Sequence, residues 1–280
     1  MSSHSAETRL RLQGKLLLDG ELHCVTGLHI GAGKGALDIG GADNPVVKDA
    51  FGRPYIPGSS LRGKLRSLLE QSAGLVAPSD LVYLSRRKGQ EVRIHQSDEP
   101  GDEVGLLFGR NPGRMEKVDG GTLEPQAATP ARLTVYDATL ELSSITPQMR
   151  ENLDDELTEV KGENAIDRIN AMANPRTLER VPAGAKFHVR LVLDILCDED
   201  RDLVAKLTEA LLLLEDDALG GGGSRGSGRV KFGAWKALWR GRGFYSEGEP
   251  EKTIAESATT PELATALRNA EALALLSRDR

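Results

Sequence analysis

Three stretches of this 280-residue chain carry side chains that could do chemistry. In PGSSLRGKLR, residues 57–66, Ser59 or Ser60 can cap a helix, and Arg62, Lys64 and Arg66 follow within two turns. A helix start offers free N–H groups and a dipole that favours an anion, so three cations there are unfavourable unless an anion is bound. That conflict points to a phosphate. In LGGGGSRGSG, residues 219–228, glycines let the backbone approach a ligand closely, and Ser224 and Arg225 offer a hydroxyl donor and a phosphate fork. Gly221, Gly223 and Gly226 match G-x-G-x-x-G in form only, because a helical pattern precedes them and a strand pattern follows; no P-loop motif is present. The third stretch, residues 27–49, holds His29, a candidate general base near neutral pH, and the carboxylates Asp38 and Asp43. By spacing alone Asp43, between glycines and Asn-Pro, reads as a turn residue.

The elements that must position these residues follow from hydrophobic period. Residues 8–26 alternate as a strand with a bulge or bend near Gly20, and Leu61, Leu65, Leu68 and Leu69 fall on one helical face. Residues 131–142 and 185–197 alternate again, Leu203, Leu207, Ala210, Leu211 and Leu214 mark a second helix, and residues 229–239 make a last strand. The order strand, helix, strand, strand, helix, strand is that of a ferredoxin-like (RRM-like) α+β fold. Residues 72–130 read as an insertion with short elements at most, and residues 143–184 as a second one. A helix is expected over residues 261–277, capped by Thr260 with Pro261 at its first position. The open face of such a sheet can bind RNA, but the aromatic signature for base stacking is absent.

Composition sets further bounds. The formal net charge is −6, which by itself argues against a nucleic-acid partner. Locally the sign reverses: residues 53–66 hold Arg53, Arg62, Lys64 and Arg66, and residues 220–243 hold Arg225, Arg229, Lys231, Lys236, Arg240 and Arg242, with no acid in either stretch. Nine carboxylates crowd residues 194–217 against Arg201 and Lys206. Cys24 and Cys197 are far apart in apolar surroundings and read as buried free thiols, with no zinc motif. The N-terminus lacks a signal-peptide core and no apolar run is long enough to span a bilayer, so a cytoplasmic protein without a membrane partner is expected.

GLHIG, GADNPVVKD, PGSSLRGKLR, TEVKGENAIDRINAMANPRTLER and GGGGSRGSGRV, in this order, resemble the RAMP superfamily, and within it the backbone subunit of type III CRISPR interference complexes. The likeness runs from about residue 8 to residue 240 and leaves out residues 72–130 and the tail after 243. It implies a ferredoxin-like palm over residues 8–243, a protruding thumb at about 143–184, and a tail at 244–280. It also implies copies of the chain stacked with other complex subunits along a guide CRISPR RNA that pairs with a complementary target RNA. In the family the helix motif, matched at Ser59, Ser60, Arg62, Lys64 and Arg66, grips guide phosphates. Lys161, Asn164 and Arg168 of the thumb could touch RNA while apolar thumb residues wedge into the duplex. His29, Lys48, Gly222, Gly223, Ser224 and Arg225 complete the expected contact set. The family's catalytic aspartate matches Asp43, which implies target cleavage in a step needing Mg²⁺ or another divalent metal, with the carboxylate acting on the 2′-hydroxyl or holding the hydrated ion. Asp38 is an alternative carboxylate, and Glu159, Glu163, Glu179 and Asp137 are further acids near the motifs, salt bridges within the thumb being their plainer role. A non-catalytic scaffold, or metal-independent guide processing through His29, are the competing functions.

Overall fold

In a computed structural model describing residues 10–32, 43–87, 90–97, 99, 101–111, 113–123, 130–269, 272, 274 and 276, the first alternating run becomes the central strand. This strand, β1 (Gly14–Cys24), buries Leu16, Leu18 and Leu22 and turns Lys15, Asp19, Glu21 and His23 to the other face, the two-residue period of a pleated strand. It is followed by β2 (Tyr55–Ile56), α1 (Gly58–Ser72), β3 (Leu81–Arg87), β4 (Gln90–His95), α2 (Glu103–Phe108), β5 (Met115–Glu116) and β6 (Thr122–Leu123). The second half holds β7 (Leu133–Val135), β8 (Ala138–Leu140), α3 (Pro147–Arg150), β9 (Glu159–Ile166), β10 (Ala173–Arg180), β11 (Lys186–Ile195) and α4 (Asp202–Glu215). The chain then runs through β12 (Val230–Gly241), α5 (Arg242–Ser246), β13 (Lys252–Thr259) and α6 (Thr260–Leu267).

The main sheet is antiparallel in the order β13-β12-β1-β11-β8-β2, with β7 also on β11. Leu61, Leu65, Leu68 and Leu69 of α1 and Leu203, Leu207, Leu211 and Leu214 of α4 join Leu16, Leu18, Trp235 and Trp239 in one core. Each fully buried leucine contributes about 1.5–3 kcal/mol, so this seam holds the helices on one sheet face. The bulge expected at Gly20 is present as a register shift against β12 between Asp19 and Glu21. A Cβ at residue 20 would come within 2.5 Å of the Trp235 indole, so glycine is required for the ring to lie on the strand. Arg132 and Asp200 are both buried, and the Arg132 Nε–H is shared between the two Asp200 carboxylate oxygens at 3.0 and 2.9 Å, a charged contact that ties the segment before β7 to the turn leading into α4.

Several expectations are corrected. Helix α1 begins at Gly58 with Pro57 as its N-cap, so Ser59 and Ser60 lie inside the first turn and cap nothing. The 72–130 segment is more structured than expected: hairpins β3–β4 and β5–β6 share an apolar cluster of Val82, Met115 and Leu123. Its helix α2 returns to the main core through Val104, Leu107 and Phe108. The 143–184 segment carries a single long hairpin, β9–β10. The tail begins with a strand the sequence did not signal, β13, and its helix is capped by Thr259 with Glu262 in a capping box, Thr260 being already helical. Cys24 is buried as expected, but Cys197 is only half-buried. Burial raises both thiols, to about 12 and about 11, which leaves them unreactive.

Candidate functional site

The β9–β10 hairpin is the wall on which most of the candidate residues meet. In β10 side chains alternate, so Thr177 and Glu179 face one way and Arg176 and Arg180 the other. On the first side lies the segment carrying Asp43. Asp43 Oδ2 accepts from the Thr177 backbone N–H at 2.8 Å and from its hydroxyl at 3.0 Å, and the Asp43 N–H is 3.1 Å from that hydroxyl. Asn44 continues the attachment: its carbonyl accepts from the Glu179 N–H at 3.1 Å, and its amide donates to the Thr177 carbonyl. Asp43 is therefore more than the turn residue its spacing suggests. Its carboxylate is exposed, Oδ1 takes no hydrogen bond from the described residues, and the bonds from Thr177, the backbone N–H foremost, hold its pKa below the ordinary carboxylate value. A carboxylate so held is ionised at neutral pH and weakly basic, which suits it to hold charge or orient a group more than to abstract a proton. Asp38 lies outside the described residues.

Below Asp43, the buried Glu179 gathers three donors: the Val46 N–H at 2.8 Å, the Thr158 hydroxyl at 2.7 Å and the Lys48 ammonium at 2.8 Å. Burial works against its charge, but Lys48, Thr158 and Val46 outweigh it and lower the pKa. Lys48 also meets Asp155 at 2.9 Å; burial opposes its charge too, and the two carboxylates raise its pKa nevertheless. Lys48, expected at RNA, is thus engaged within the chain. His29 is buried on the same hub, its Nδ1 2.8 Å from the Glu179 carbonyl. A carbonyl only accepts, so Nδ1 carries the proton and Nε2 has the lone pair in the neutral ring. The His29 carbonyl accepts from Gly221 at 2.8 Å, and a Cβ on Gly221 would meet the ring at 3.0 Å. His29 thus packs between the β9–β10 hairpin and the glycine loop.

On the other side of the hairpin lies the glycine loop. Gly222 and Gly226 adopt φ of 78° and 83° and bracket a turn at Gly223–Arg225, within which the N–H groups of Arg225, Gly226 and Ser227 bond to loop carbonyls. The glycine-rich stretch is a folded turn, and those N–H groups bond within it. Its side chains are better placed. Arg225 meets Glu163 of β9 at 3.2 Å, Arg176, directly across the ladder, meets the same carboxylate at 2.7 Å, and Lys161 lies 3.5 Å away. Three cations share one acid, whose pKa Arg176 and then Arg225 lower, and about half of the Arg176 and Arg225 side chains is exposed. Arg176 escaped the sequence reading; its cross-strand position opposite Glu163 was the available signal. At the hairpin tip Arg168 is exposed, and Asp167 accepts from the N–H groups of Ile169 and Asn170, a fixed turn that leaves Ile169 98% and Met172 68% exposed. Asn164 is exposed on β9.

Helix α1 finds an anion within the chain. The anion at its start is Asp137, which accepts from the Gly58 N–H at 2.7 Å. The cations have protein partners: Arg62 donates to the Phe108 carbonyl and lies over its ring, Lys64 meets Asp217 at 3.1 Å, and Arg66 meets Glu70 at 2.7 Å and the His95 carbonyl at 2.6 Å. The rule broken in sequence is satisfied by partners within the chain, from Glu70 one turn along the helix to Phe108, Asp137 and Asp217 far along the sequence. Cations of the acid-free basic stretch likewise find acids on other elements, Lys231 meeting Glu215 at 3.0 Å and Arg240 meeting Glu251 at 2.8 Å. Ser59, Ser60, Arg62, Lys64 and Arg66 thus form a group apart, linked toward the glycine loop through Lys64 and Asp217.

Among the described residues no three His, Cys, Asp or Glu side chains are grouped to hold a metal ion. Mg²⁺ commonly keeps several waters and binds through one or two carboxylates plus substrate phosphates. The exposed Asp43 carboxylate is compatible with that mode. No helix among the described residues is long and apolar enough to cross a membrane.

A sequence profile of the RAMP superfamily matches residues 21–231. The chain is 39% identical over 247 residues to the CRISPR system Cms endoribonuclease Csm3 of Methanocaldococcus jannaschii, covering 87% of this chain and 88% of that protein. The protein of the same description from Methanothermobacter thermautotrophicus is 34% identical over 257 residues, 91% and 99% of the two chains. A chain in the crystal structure of the Csm3-Csm4 subcomplex of the type III-A CRISPR-Cas interference complex superposes with TM-score 0.55 at 29% identity, over 92% of this chain and 97% of that one. The Methanopyrus kandleri Csm3 crystal structure, at 20% identity and TM-score 0.58 over 96% and 100%, shares the fold.

Proposed function

The chain belongs to the RAMP superfamily, and on that footing we propose that it is the backbone subunit of a type III CRISPR effector complex and an endoribonuclease that cuts RNA complementary to a bound guide. Support comes from relatives described as endoribonucleases at 39% and 34% identity with nearly whole-chain coverage. The strand order β12-β1-β11-β8, with α1 and α4 on one face, supports a ferredoxin-like palm, and the β9–β10 hairpin is its thumb. The observation that carries the reading is Asp43: an exposed, ionised carboxylate with one oxygen fixed by the thumb and the other open.

In this reading Lys161, Arg176 and Arg225 bind backbone phosphates, exchanging Glu163 for RNA in part. Ile169 and Met172 stand at the thumb tip as apolar wedges against the guide–target duplex. Asp43 orients the ribose-phosphate link that is cut. A divalent ion such as Mg²⁺, when bound, would supply charge stabilisation for the phosphorane-like transition state, with Asp43 as its protein ligand. The partners are guide RNA, target RNA, further copies of the chain and other subunits of the complex, and cleavage takes place in the cytoplasm.

The test is Asp43→Ala in the assembled complex. Guide retention and target affinity stay at wild-type values while cleavage at every copy of the subunit falls to background, and chelation of divalent metal does the same to the wild type. Cleavage at the normal rate in the variant would return the chain to a purely scaffolding role; cleavage that survives chelation would point to metal-free chemistry at His29.

A further inference from the structure

Asp43 and Thr177 are 134 residues apart in sequence, yet the Thr177 hydroxyl both donates to Asp43 Oδ2 at 3.0 Å and accepts from the Asp43 N–H at 3.1 Å. The Thr177 backbone N–H adds a second donor to the same oxygen at 2.8 Å. One residue thereby fixes the carboxylate plane, holds its backbone and leaves Oδ1 without a hydrogen bond from the described residues. The strand that does this belongs to the thumb, and the same strand continues into Glu179, whose N–H bonds the Asn44 carbonyl and whose side chain takes the Val46 N–H. The Asp43 loop is therefore fastened to the thumb at residues 43, 44 and 46, and Thr177 is the attachment nearest the carboxylate.

We propose that Thr177 is a positioning residue for RNA cleavage, its hydroxyl orienting the Asp43 carboxylate so that the open oxygen faces the scissile link. The inference rests on the reading of Asp43 as catalytic. Because Thr177 stands on β10, the carboxylate is fastened to the hairpin itself.

Thr177→Val separates the hydroxyl from everything else. Valine has the same branched shape, its methyl replaces the hydroxyl, and the backbone N–H to Asp43 remains. Single-turnover cleavage by the guide-loaded complex, measured at saturating target, is expected to fall about tenfold, since loss of alignment at a reacting group has large kinetic effects. Target affinity, complex assembly and thermal stability remain at wild-type values. Thr177→Ser, which restores a hydroxyl, recovers the wild-type rate. Placed on Asp43→Ala, Thr177→Val changes nothing further.

A wild-type rate in Thr177→Val while Asp43→Ala is inactive overturns this inference and leaves the function standing. Cleavage persisting in Asp43→Ala overturns the function itself, and the two failures are thus distinct. A Thr177→Val complex that fails to assemble or loses target affinity, or a Thr177→Ser complex as slow as the valine variant, would make the role of Thr177 that of a structural thumb residue and overturn the proposal.

Discussion

Replacing Glu179 is expected to loosen the joint between the thumb and the Asp43 loop. The buried carboxylate accepts from Val46 at 2.8 Å, Thr158 at 2.7 Å and Lys48 at 2.8 Å. Hydrogen bonds to a charged group are worth about 1.5–3 kcal/mol each. Their sum is discounted because Lys48 remains partly solvated and keeps Asp155. Glu179→Ala, which orphans all three donors, should lose about 4 kcal/mol; Glu179→Gln, which retains an acceptor oxygen, should lose about 2 kcal/mol. At roughly 2–4 °C per kcal/mol for a chain of this size, the glutamine variant should melt about 4–8 °C lower at pH 7. The pH dependence has a definite sign. The folded-state pKa of Glu179 lies below its ordinary value of 4.5, so its stabilisation is complete above that pH and is lost as pH falls through the folded value. Thermal denaturation of wild type and Glu179→Gln across pH 3–7 (about these limits, bracketing the glutamate range) measures both effects, the gap between them closing at the acid end. A gap under about 1 °C at neutral pH, or one constant throughout, refutes the assignment of Glu179 as the hub.

Two further outcomes test the charge distribution. Arg176→Ala and Arg225→Ala should each weaken RNA binding and lower the slope of log affinity against log salt by about one if they meet phosphates; unchanged slopes would mean that Glu163 keeps both arginines. Asp137→Ala removes the anion at the start of α1 and should cost about 1 kcal/mol in chemical denaturation, with Asp137→Asn recovering most of it as a neutral cap; no loss would show that water serves the Gly58 N–H equally well.

The main sheet and the two helices on its face were legible because their signal is periodic. Leu61, Leu65, Leu68 and Leu69 mark a helix face and Leu203, Leu207, Ala210, Leu211 and Leu214 another, and both are buried together. The strands on either side announced themselves by alternation, which needs only neighbouring residues to be read. Strand β13 did not, because Lys252, Thr253, Glu256 and Thr259 are polar and exposed and the strand lies at the sheet edge. The cations of α1 were seen, but not their partners within the chain: Asp137, Asp217, Phe108 and His95 come from four other segments.

Sequence alone thus determined the helices and strands of the main sheet, the order in which they come, and the motifs that mark the chain's family. What only the tertiary structure decided is which groups face one another. Asp43 needs Thr177, His29 needs the Glu179 carbonyl, and Glu163 needs Arg176 and Arg225, partners separated by up to 150 residues. Local period is written in adjacent side chains, whereas hydrogen bonds and ion pairs depend on angstrom-scale distances that exist only after the hairpin, the glycine turn and the Asp43 loop have packed together.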